Sequence, residues 1–189
     1  MPEGDTIFRA ARTLNRALAG KTITGFRSTF ALLTRFNDDT PLARVNDDTP
    51  IVGRAVERVE ARGKWCLIFF SGDLILLTHM LLSGSWHIYR PGERWQLPPS
   101  MMRIVIETAG FVAVGFNVPV AEMHTPHSLA REKSIPAAAS DVLGSGFEES
   151  AAVERLLSFP DLELGEALLR QQALAGVGNV FKSEICFTA

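Results

Sequence analysis

The chain has 189 residues and a mass of 20.7 kDa, enough to bury a substantial core as one large domain or two small ones. Its formal net charge is -2, so any nucleic-acid partner would have to bind a local surface. The two cysteines lie far apart and the four histidines share no metal-ligand spacing with them, which predicts reduced thiols and no zinc site. The apolar runs are too short to span a bilayer and no signal-peptide pattern begins the chain, which favours a cytoplasmic location.

The first predicted element is an amphipathic helix over residues 6–19. Its apolar residues recur at helical spacing, and they are Ile7, Ala10, Ala11, Leu14, Ala17 and Leu18. Asp5 is the predicted N-cap and Gly20 the predicted C-terminal stop. Because chain ends otherwise fray, such a helix would anchor the amino end of the protein on the core.

Short β-rich runs follow from residue 23 to about residue 116. They cover 22–28, 52–61, 64–71, 74–81, 85–89, 101–107 and 111–116. Turn sequences at 71–73 and 108–110 predict hairpins, so the sheets should be largely antiparallel and should close as a β-sandwich or barrel-like core. Asn-Asp-Asp-Thr-Pro occurs twice, at 37–41 and at 46–50, which predicts a solvated loop.

The last third of the chain is predicted to be helical. Residues 148–158, 162–175 and 180–189 have helical periodicity, and the Pro-, Ala- and Ser-rich stretch before them predicts a linker. The predicted organisation is therefore α+β, with an N-terminal β-sandwich domain over 1–123, a linker over 124–146 and a small helical domain over 147–189. A cleft between the two domains is the expected working site.

The amino end carries unusual chemistry if Met1 is removed, because Pro2 then becomes a free secondary amine with Glu3 beside it. Attack by that amine on an aldehydic carbon gives an iminium ion, which is an electron sink. An α-amino group titrates at about 7.7 to 8.0, against about 10.4 for lysine, so an appreciable fraction is nucleophilic near neutral pH. The alternative is that a proline at position two is unremarkable and that Glu3 is an ordinary acidic residue before a helix.

A tight glycine turn lies between two predicted helices near the end of the chain, in the sequence Gly176-Val177-Gly178-Asn179. Asn179 could cap the second helix, and the amides at the start of that helix would form an anion site suited to a phosphate. A plain helical hairpin with a glycine turn is the alternative explanation.

Four motifs together resemble those of the formamidopyrimidine-DNA glycosylase and endonuclease VIII family of base-excision repair enzymes. They are Pro2-Glu3-Gly4 at the start, Arg62-Gly63-Lys64 at a strand start, Thr-His-Met-Leu-Leu-Ser-Gly at 78–84, and a helix-two-turn-helix pattern at 171–184. The order and spacing match along the chain from Pro2 onwards. The sequences at 2–6 and 82–86 look more like the bacterial endonuclease VIII branch.

The resemblance implies a bifunctional DNA glycosylase and abasic-site lyase that removes oxidised bases, in particular pyrimidines. Pro2 would attack C1′ of the damaged nucleotide, Glu3 would donate a proton, and Lys64 would act as proton donor and phosphate contact during β-elimination. The implied partner is damaged double-stranded DNA, bound by a monomer. A solvated lysine at a strand end is the alternative for Lys64.

The resemblance also implies DNA contacts outside the catalytic group. An extruded nucleotide leaves a space that inserted side chains commonly fill, and the family places such residues at 80–82. Leu82 is the first candidate and Leu81 the second, against the alternative that these residues, Met80 included, belong to the core. Asn179 would grip phosphates flanking the lesion, Lys182 would add charge, and His79 would support the turn at 80–82 or touch the backbone.

The chain departs from the family in several places. Family members continue beyond this point into a zinc finger or a zincless equivalent, so the resemblance implies a fragment or a truncated product. No cofactor is expected in this chain, and structural zinc only in a longer form. The segment 115–119 lacks the Arg-Phe pair of the formamidopyrimidine branch, and 139–143 replaces the usual Gly-Pro-Asp pattern. A truncated, weakly active damaged-DNA-binding module is therefore the alternative function.

Overall fold

A computed structural model describes residues 2–36 and 51–189. Met1 lies outside the described residues, as does the predicted polar loop with its repeats at 37–41 and 46–50. The described residues form an N-terminal helix, two antiparallel sheets and a C-terminal group of short helices. This arrangement confirms the predicted α+β class and antiparallel sandwich.

Helix α1 spans Gly4–Leu18 and buries one apolar face, with residues Ile7, Ala11, Leu14, Ala17 and Leu18 pointing into the core. The predicted N-cap at Asp5 is wrong, because the backbone carbonyl of Glu3 accepts the first helical hydrogen bond, from the Ile7 N–H at 3.1 Å. Asp5 lies inside the first turn and pairs with Arg9. Gly20 follows the helix in the left-handed region at φ 75°, as predicted for a stop.

The strands form two four-stranded sheets within the described residues. Their bounds are β1 Ile23–Ser28, β2 Val56–Arg62, β3 Trp65–Phe70, β4 Leu74–His79, β5 Ser85–Tyr89, β6 Met102–Thr108, β7 Val112–Phe116 and β8 Val120–His124. One sheet has the order β1-β6-β7-β5 and the other β2-β3-β4-β8. The last strand was not predicted from the sequence, and β2 begins four residues later than the start at residue 52.

The main core lies between the two sheets and includes the buried face of α1. Strand β3 supplies alternate buried residues to it, Cys66, Ile68 and Phe70, while Leu67 and Phe69 pack on the other face of the sheet. Leu129 and Ile135, which lie in the segment after β8, cover that second face. Because both faces are covered, β3 is an almost continuous apolar run rather than an alternating one.

Two connections cross between the sheets at the same corner of the sandwich. His79 at the end of β4 pairs with Val120 at the start of β8, and Ser85 at the start of β5 pairs with Phe116 at the end of β7. The β4–β5 turn at 80–84 and the β7–β8 turn at 117–119 therefore run side by side. This corner brings the predicted DNA-inserting residues next to a second turn, in which Val118 is buried and Pro119 is exposed.

The segment after β8 contains short helix α2, Pro126–Leu129, and leads to α3, Glu149–Leu157, α4, Leu164–Ala167, and α5, Asn179–Thr188. The predicted helix over 162–175 is wrong beyond Ala167. There the backbone forms turns, and the Ala175 N–H donates to the Ser140 carbonyl at 2.7 Å instead of continuing a helix. None of the helices within the described ranges is long and apolar enough to cross a membrane.

Candidate active site

The amino end of the protein is docked on the glycine turn before α5. The Glu3 carboxylate accepts hydrogen bonds from the N–H groups of Gly178 at 3.2 Å, Val180 at 2.8 Å and Phe181 at 3.2 Å. Glu3 is only 2% exposed. The same residue therefore starts α1 with its backbone and occupies the positive N-terminal end of α5 with its side chain.

Glycines make this contact possible by letting two backbones approach each other. The Gly4 N–H donates to the Gly176 carbonyl at 2.8 Å. A Cβ added at Gly4 would lie 2.7 Å from the Gly176 Cα, and one added at Gly178 would lie 2.5 Å from the Glu3 carboxyl carbon. Glu3, which follows Pro2 in the chain, is thus fixed by the hydrogen bonds of its own side chain and by the Gly4 backbone contact.

The prediction of an open anion site at the start of α5 is wrong. The anion at this helix end is the protein's own Glu3 carboxylate, which occupies the N–H groups of Val180 and Phe181. The N-cap is Gly178, not Asn179, which is the first residue of α5 and is exposed. A DNA contact by the Asn179 side chain stays a prediction.

Lys64 is the second residue of the tight turn between β2 and β3 and lies near Glu3. Partial burial lowers the pKa of Lys64 below its ordinary value of 10.5, and the Glu3 carboxylate opposes part of that change. Pro2, also half-buried, adjoins Glu3 in the chain. The three predicted catalytic residues, Pro2, Glu3 and Lys64, therefore meet in one region, although they come from the amino end and from the β2–β3 turn. Their catalytic roles stay predictions.

His79 contacts the predicted DNA-inserting turn and lies within the electrostatic influence of Lys64. Its Nδ1 accepts a hydrogen bond from the Leu81 N–H at 3.0 Å, and its ring contacts Trp65 edge-on with centroids 4.7 Å apart. Burial and then the nearby Lys64 charge lower the pKa of His79 below 6.5. The neutral ring is the form that can accept the Leu81 N–H, so this environment favours the observed turn.

The turn at 80–84 presents two leucines to solvent. Leu82 is 72% exposed and Leu81 is 48% exposed, with Leu81 in the left-handed region at φ 44°. Met80 is buried, and the alternative that all three residues are core holds for Met80 alone. Insertion of Leu81 and Leu82 into DNA stays a prediction.

Sequence reasoning missed two polar residues that hold the site together. Asp141 is buried and accepts a hydrogen bond from the Gly63 N–H at 2.9 Å. Gln171 accepts from the Gly176 N–H at 3.0 Å and donates to the Val177 carbonyl at 2.9 Å, which fixes the glycine turn. Asp141 could have been suspected because it is the one position of 139–143 that keeps the family's acidic residue.

Within the ranges 2–36 and 51–189, the His, Cys, Asp and Glu side chains form no cluster of three or more that could hold a metal ion. The cysteines in this part of the chain are not paired with each other. Cys66 is buried and Cys186 exposed.

Comparison with known proteins decides the family. The family profile of the formamidopyrimidine-DNA glycosylase N-terminal domain matches residues 1–119. The chain belongs to this family.

The curated relatives of this glycosylase-family chain are endonuclease VIII-like. Probable endonuclease 8 2 of Streptomyces coelicolor is 37% identical over 188 residues, which cover 99% of this chain and 63% of the relative. The DNA-(apurinic or apyrimidinic site) lyase Nei2 of Mycolicibacterium smegmatis is 35% identical over 190 residues, 99% of this chain and 66% of the relative. Endonuclease 8 of Escherichia coli O157:H7 is 33% identical, with 66% of its length covered. The chain thus spans slightly less than two thirds of these relatives.

Solved structures of the glycosylase family share the fold. A complex of Lactococcus lactis Fpg with DNA containing N7-benzyl-Fapy-dG superposes with a TM-score of 0.73 at 17% identity, covering 97% of this chain and 66% of that one. A complex of the same enzyme with DNA containing an abasic site gives a TM-score of 0.70, also at 17% identity, and covers 98% and 65%. These superpositions include the helical segment after the matched N-terminal domain.

Proposed function

We propose that the protein is a bifunctional DNA glycosylase and abasic-site lyase that acts on oxidised pyrimidines through a Schiff base on Pro2. The family membership and the names of the relatives, endonuclease 8 and abasic-site lyase, support this reaction class. The observation that carries the proposal is the convergence of Pro2, Glu3 and Lys64, with Glu3 fixed by the N–H groups at the start of α5.

The proposed chemistry begins with the Pro2 amine in its neutral form. Its lone pair forms a bond to C1′ as the bond from C1′ to the damaged base breaks. The proton that the nitrogen loses passes to the Glu3 carboxylate, and the departing base takes up a proton from water. Glu3 then delivers its proton to the ring oxygen as the bond from C1′ to that oxygen breaks, which leaves an iminium ion between Pro2 and C1′. A free N-terminal nitrogen, and hence loss of Met1, is required.

Strand cleavage follows from the iminium ion, which withdraws electrons from C2′. Water takes a proton from C2′, the electrons of that C–H bond form a C2′–C3′ double bond, and the C3′–O bond breaks with departure of the 3′ phosphate. The Lys64 ammonium would contact that phosphate and supply a proton as its charge develops. Hydrolysis of the remaining iminium releases the sugar fragment and restores the Pro2 amine.

The DNA partner is supported by the exposed leucines at one corner of the sandwich. Leu82 projects from a turn that the His79 ring and Leu81 N–H fix in place, so its apolar side chain is available without a refolding step. A wedge of this kind suits the space left by an extruded nucleotide. Since the chain has no overall basic excess, binding would depend on this corner and on Lys64, Asn179 and Lys182.

The test uses the protein with Met1 removed and a duplex that contains one abasic site. Borohydride reduces an iminium to a stable amine, so an active protein becomes covalently joined to DNA. Mass spectrometry of the proteolysed product should place the DNA on the peptide that starts at Pro2. The matched controls are the same protein with a residue retained before Pro2 and an undamaged duplex, and neither should give an adduct.

Three outcomes separate the proposals. An adduct on Pro2, with faster release of thymine glycol than of 8-oxoguanine from lesion duplexes, supports the full proposal. An adduct on Lys64 would overturn the role of Pro2. Binding to the abasic duplex with no adduct would overturn the enzyme proposal and support the alternative of a damaged-DNA-binding module.

A further inference from the structure

A buried carboxylate outside the proposed catalytic group lies where three separate parts of the chain meet. Asp141 is 5% exposed, and its two oxygens accept N–H groups from different segments. Oδ2 accepts from Gly63 at 2.9 Å, and Oδ1 accepts from Leu143 at 3.0 Å. The first bond joins residues 78 positions apart in the sequence. A carboxylate this deeply buried is costly unless hydrogen bonds satisfy it, so its position is tightly defined.

The hydrogen bond from the Gly63 N–H to Asp141 fixes the residue directly before Lys64. Gly63 is in the left-handed region at φ 58°, in the turn between β2 and β3. The space beside its Cα is filled, because an added Cβ would lie 3.0 Å from the Pro136 ring and 3.1 Å from the Ala175 Cβ. The turn therefore has little freedom to move while the Asp141 hydrogen bond is present.

The Asp141 side of the contact is tied to the glycine turn that holds Glu3. The backbone around Asp141 forms a parallel bridge with Ala175, in which Ala175 donates to the Ser140 carbonyl at 2.7 Å and Val142 donates to the Ala175 carbonyl at 3.2 Å. Gly176, the next residue, accepts the Gly4 N–H. One short path of hydrogen bonds thus connects the turn that contains Lys64 with the segment that carries Pro2 and Glu3.

We propose that Asp141 is a positioning residue for Lys64, which holds the β2–β3 turn against the segment between the domains and so sets the Lys64 ammonium in register with Glu3 and Pro2. The inference rests on the proposed function for its catalytic consequence. Its structural part is independent, because the Gly63 contact can be measured without DNA. The lowered pKa of Lys64, caused first by burial, agrees with a lysine held against the protein rather than extended into water.

The decisive variant is Asp141→Asn, which keeps the size of the side chain but replaces one accepting oxygen by an NH2 group that faces an N–H donor. The matched control is Ser140→Ala at the adjacent buried residue. Its hydroxyl donates to the Gln172 carbonyl at 2.8 Å, so this change loosens the same segment without touching Gly63. Asp161→Asn, at an exposed position, controls for the loss of one negative charge.

Two readouts without DNA test the positioning itself. In Asp141→Asn, exchange of the Gly63 amide hydrogen should become faster by about tenfold, as expected for the loss of one buried hydrogen bond. The pKa of Lys64, followed by NMR of its side-chain nitrogen, should rise towards 10.5 because the ammonium becomes better hydrated. Both quantities should stay at the wild-type values in Ser140→Ala and Asp161→Asn.

A third readout tests the consequence for the reaction. Single-turnover nicking of an abasic duplex should slow by about tenfold or more in Asp141→Asn, because small displacements of a reacting group are costly, while the Kd for the duplex changes little. If Asp141→Asn does not fold, Asp141→Glu serves instead, since it keeps the charge and displaces the carboxylate by one methylene. The same three readouts then apply.

The results distinguish failure of the Asp141 positioning role from failure of the proposed function. Equal exchange, Lys64 pKa and nicking in Asp141→Asn and Ser140→Ala would overturn the positioning role, even if the wild-type protein forms the Pro2 adduct. If the wild-type protein forms no adduct, the proposed function fails. The placement of Lys64 by Asp141 is then decided by exchange and pKa alone, and unchanged values in Asp141→Asn would overturn it.

Discussion

The Val180 N–H donates to the Glu3 Oε1 at 2.8 Å and so joins two residues that lie 177 positions apart in the sequence. This bond fastens the amino end of the protein to the start of α5. Its geometry makes the packing at Gly178 critical, because that glycine leaves the space in which the Glu3 carboxyl group lies. Displacing Glu3 should therefore disturb stability and the proposed chemistry together.

Gly178→Ala is predicted to lower the free energy of unfolding by about 2 kcal/mol, since the new Cβ would overlap the Glu3 carboxyl group and weaken charge-assisted hydrogen bonds. It should also reduce borohydride trapping on abasic DNA. Denaturant unfolding and trapping yield measure the two effects. Gly146→Ala is the control, because no atom lies within 4 Å of its added Cβ. Equal stability of the two variants would contradict the prediction.

Leu82→Ala is predicted to leave stability unchanged within about 0.5 kcal/mol, because the side chain is already exposed, but to weaken binding to a lesion duplex by about tenfold. Leu157→Ala is a matched control, since Leu157 and Leu82 are both 72% exposed. Fluorescence anisotropy at one fixed salt concentration measures the Kd. A similar loss in both variants would argue against a specific insertion by Leu82.

The nicking rate is predicted to fall at alkaline pH before 10.5 is reached. Lys64 must be protonated to donate a proton, and a lowered pKa means that it loses this proton at a lower pH than an ordinary lysine. In the acidic range the nicking rate should rise with increasing pH, because the Pro2 amine loses its proton and becomes nucleophilic. Single-turnover nicking of an abasic duplex over a pH series measures both limbs.

Lys64→Arg provides the control for that pH profile. An arginine keeps its charge up to a pH of about 12 or above, so the alkaline fall should disappear while the acidic limb stays in place. The overall rate should be lower, because a guanidinium is a poor proton donor. An unchanged alkaline limb in this variant would show that another group sets it.

The two cysteines are predicted to react very differently with alkylating reagents. Burial raises the pKa of the Cys66 thiol to about 12, so it is both inaccessible and protonated, whereas Cys186 is exposed. Mass spectrometry should find label on Cys186 in the native protein and on Cys66 only after unfolding in guanidinium chloride. Rapid native labelling of Cys66 would mean that β3 opens readily.

Much of the fold could be predicted because its signals are local. The apolar face of α1 and the turn residues at 71–73 and 108–110 are short-range patterns, and the structure has the helix and both hairpins. The helix expected up to residue 175 failed for a non-local reason. Its last residue pairs with Ser140 in the segment between β8 and α3, and no periodicity in the sequence reports such a contact.

The residues of the candidate site could be predicted from the sequence, but the contacts between them could not. Pro2, Glu3 and Lys64 could be named from motif order, and they do come together. Occupation of the α5 N-terminus by Glu3 could not be foreseen, because a glycine turn before a helix looks the same with or without a carboxylate across from it. Asp141 was missed because its role depends on the Gly63 N–H, a partner that only the folded chain brings within reach.

The amino end is held in place by the hydrogen bond from the Gly4 N–H to the Gly176 carbonyl, and this has a practical consequence for producing the protein. Any purification handle fused ahead of Pro2 converts its nitrogen to an amide, which cannot form the proposed iminium ion. Protein for tests of the proposed reaction should therefore carry a leader whose removal leaves Pro2 as the first residue. Preparations that skip this step would give no adduct even if the proposed reaction is correct.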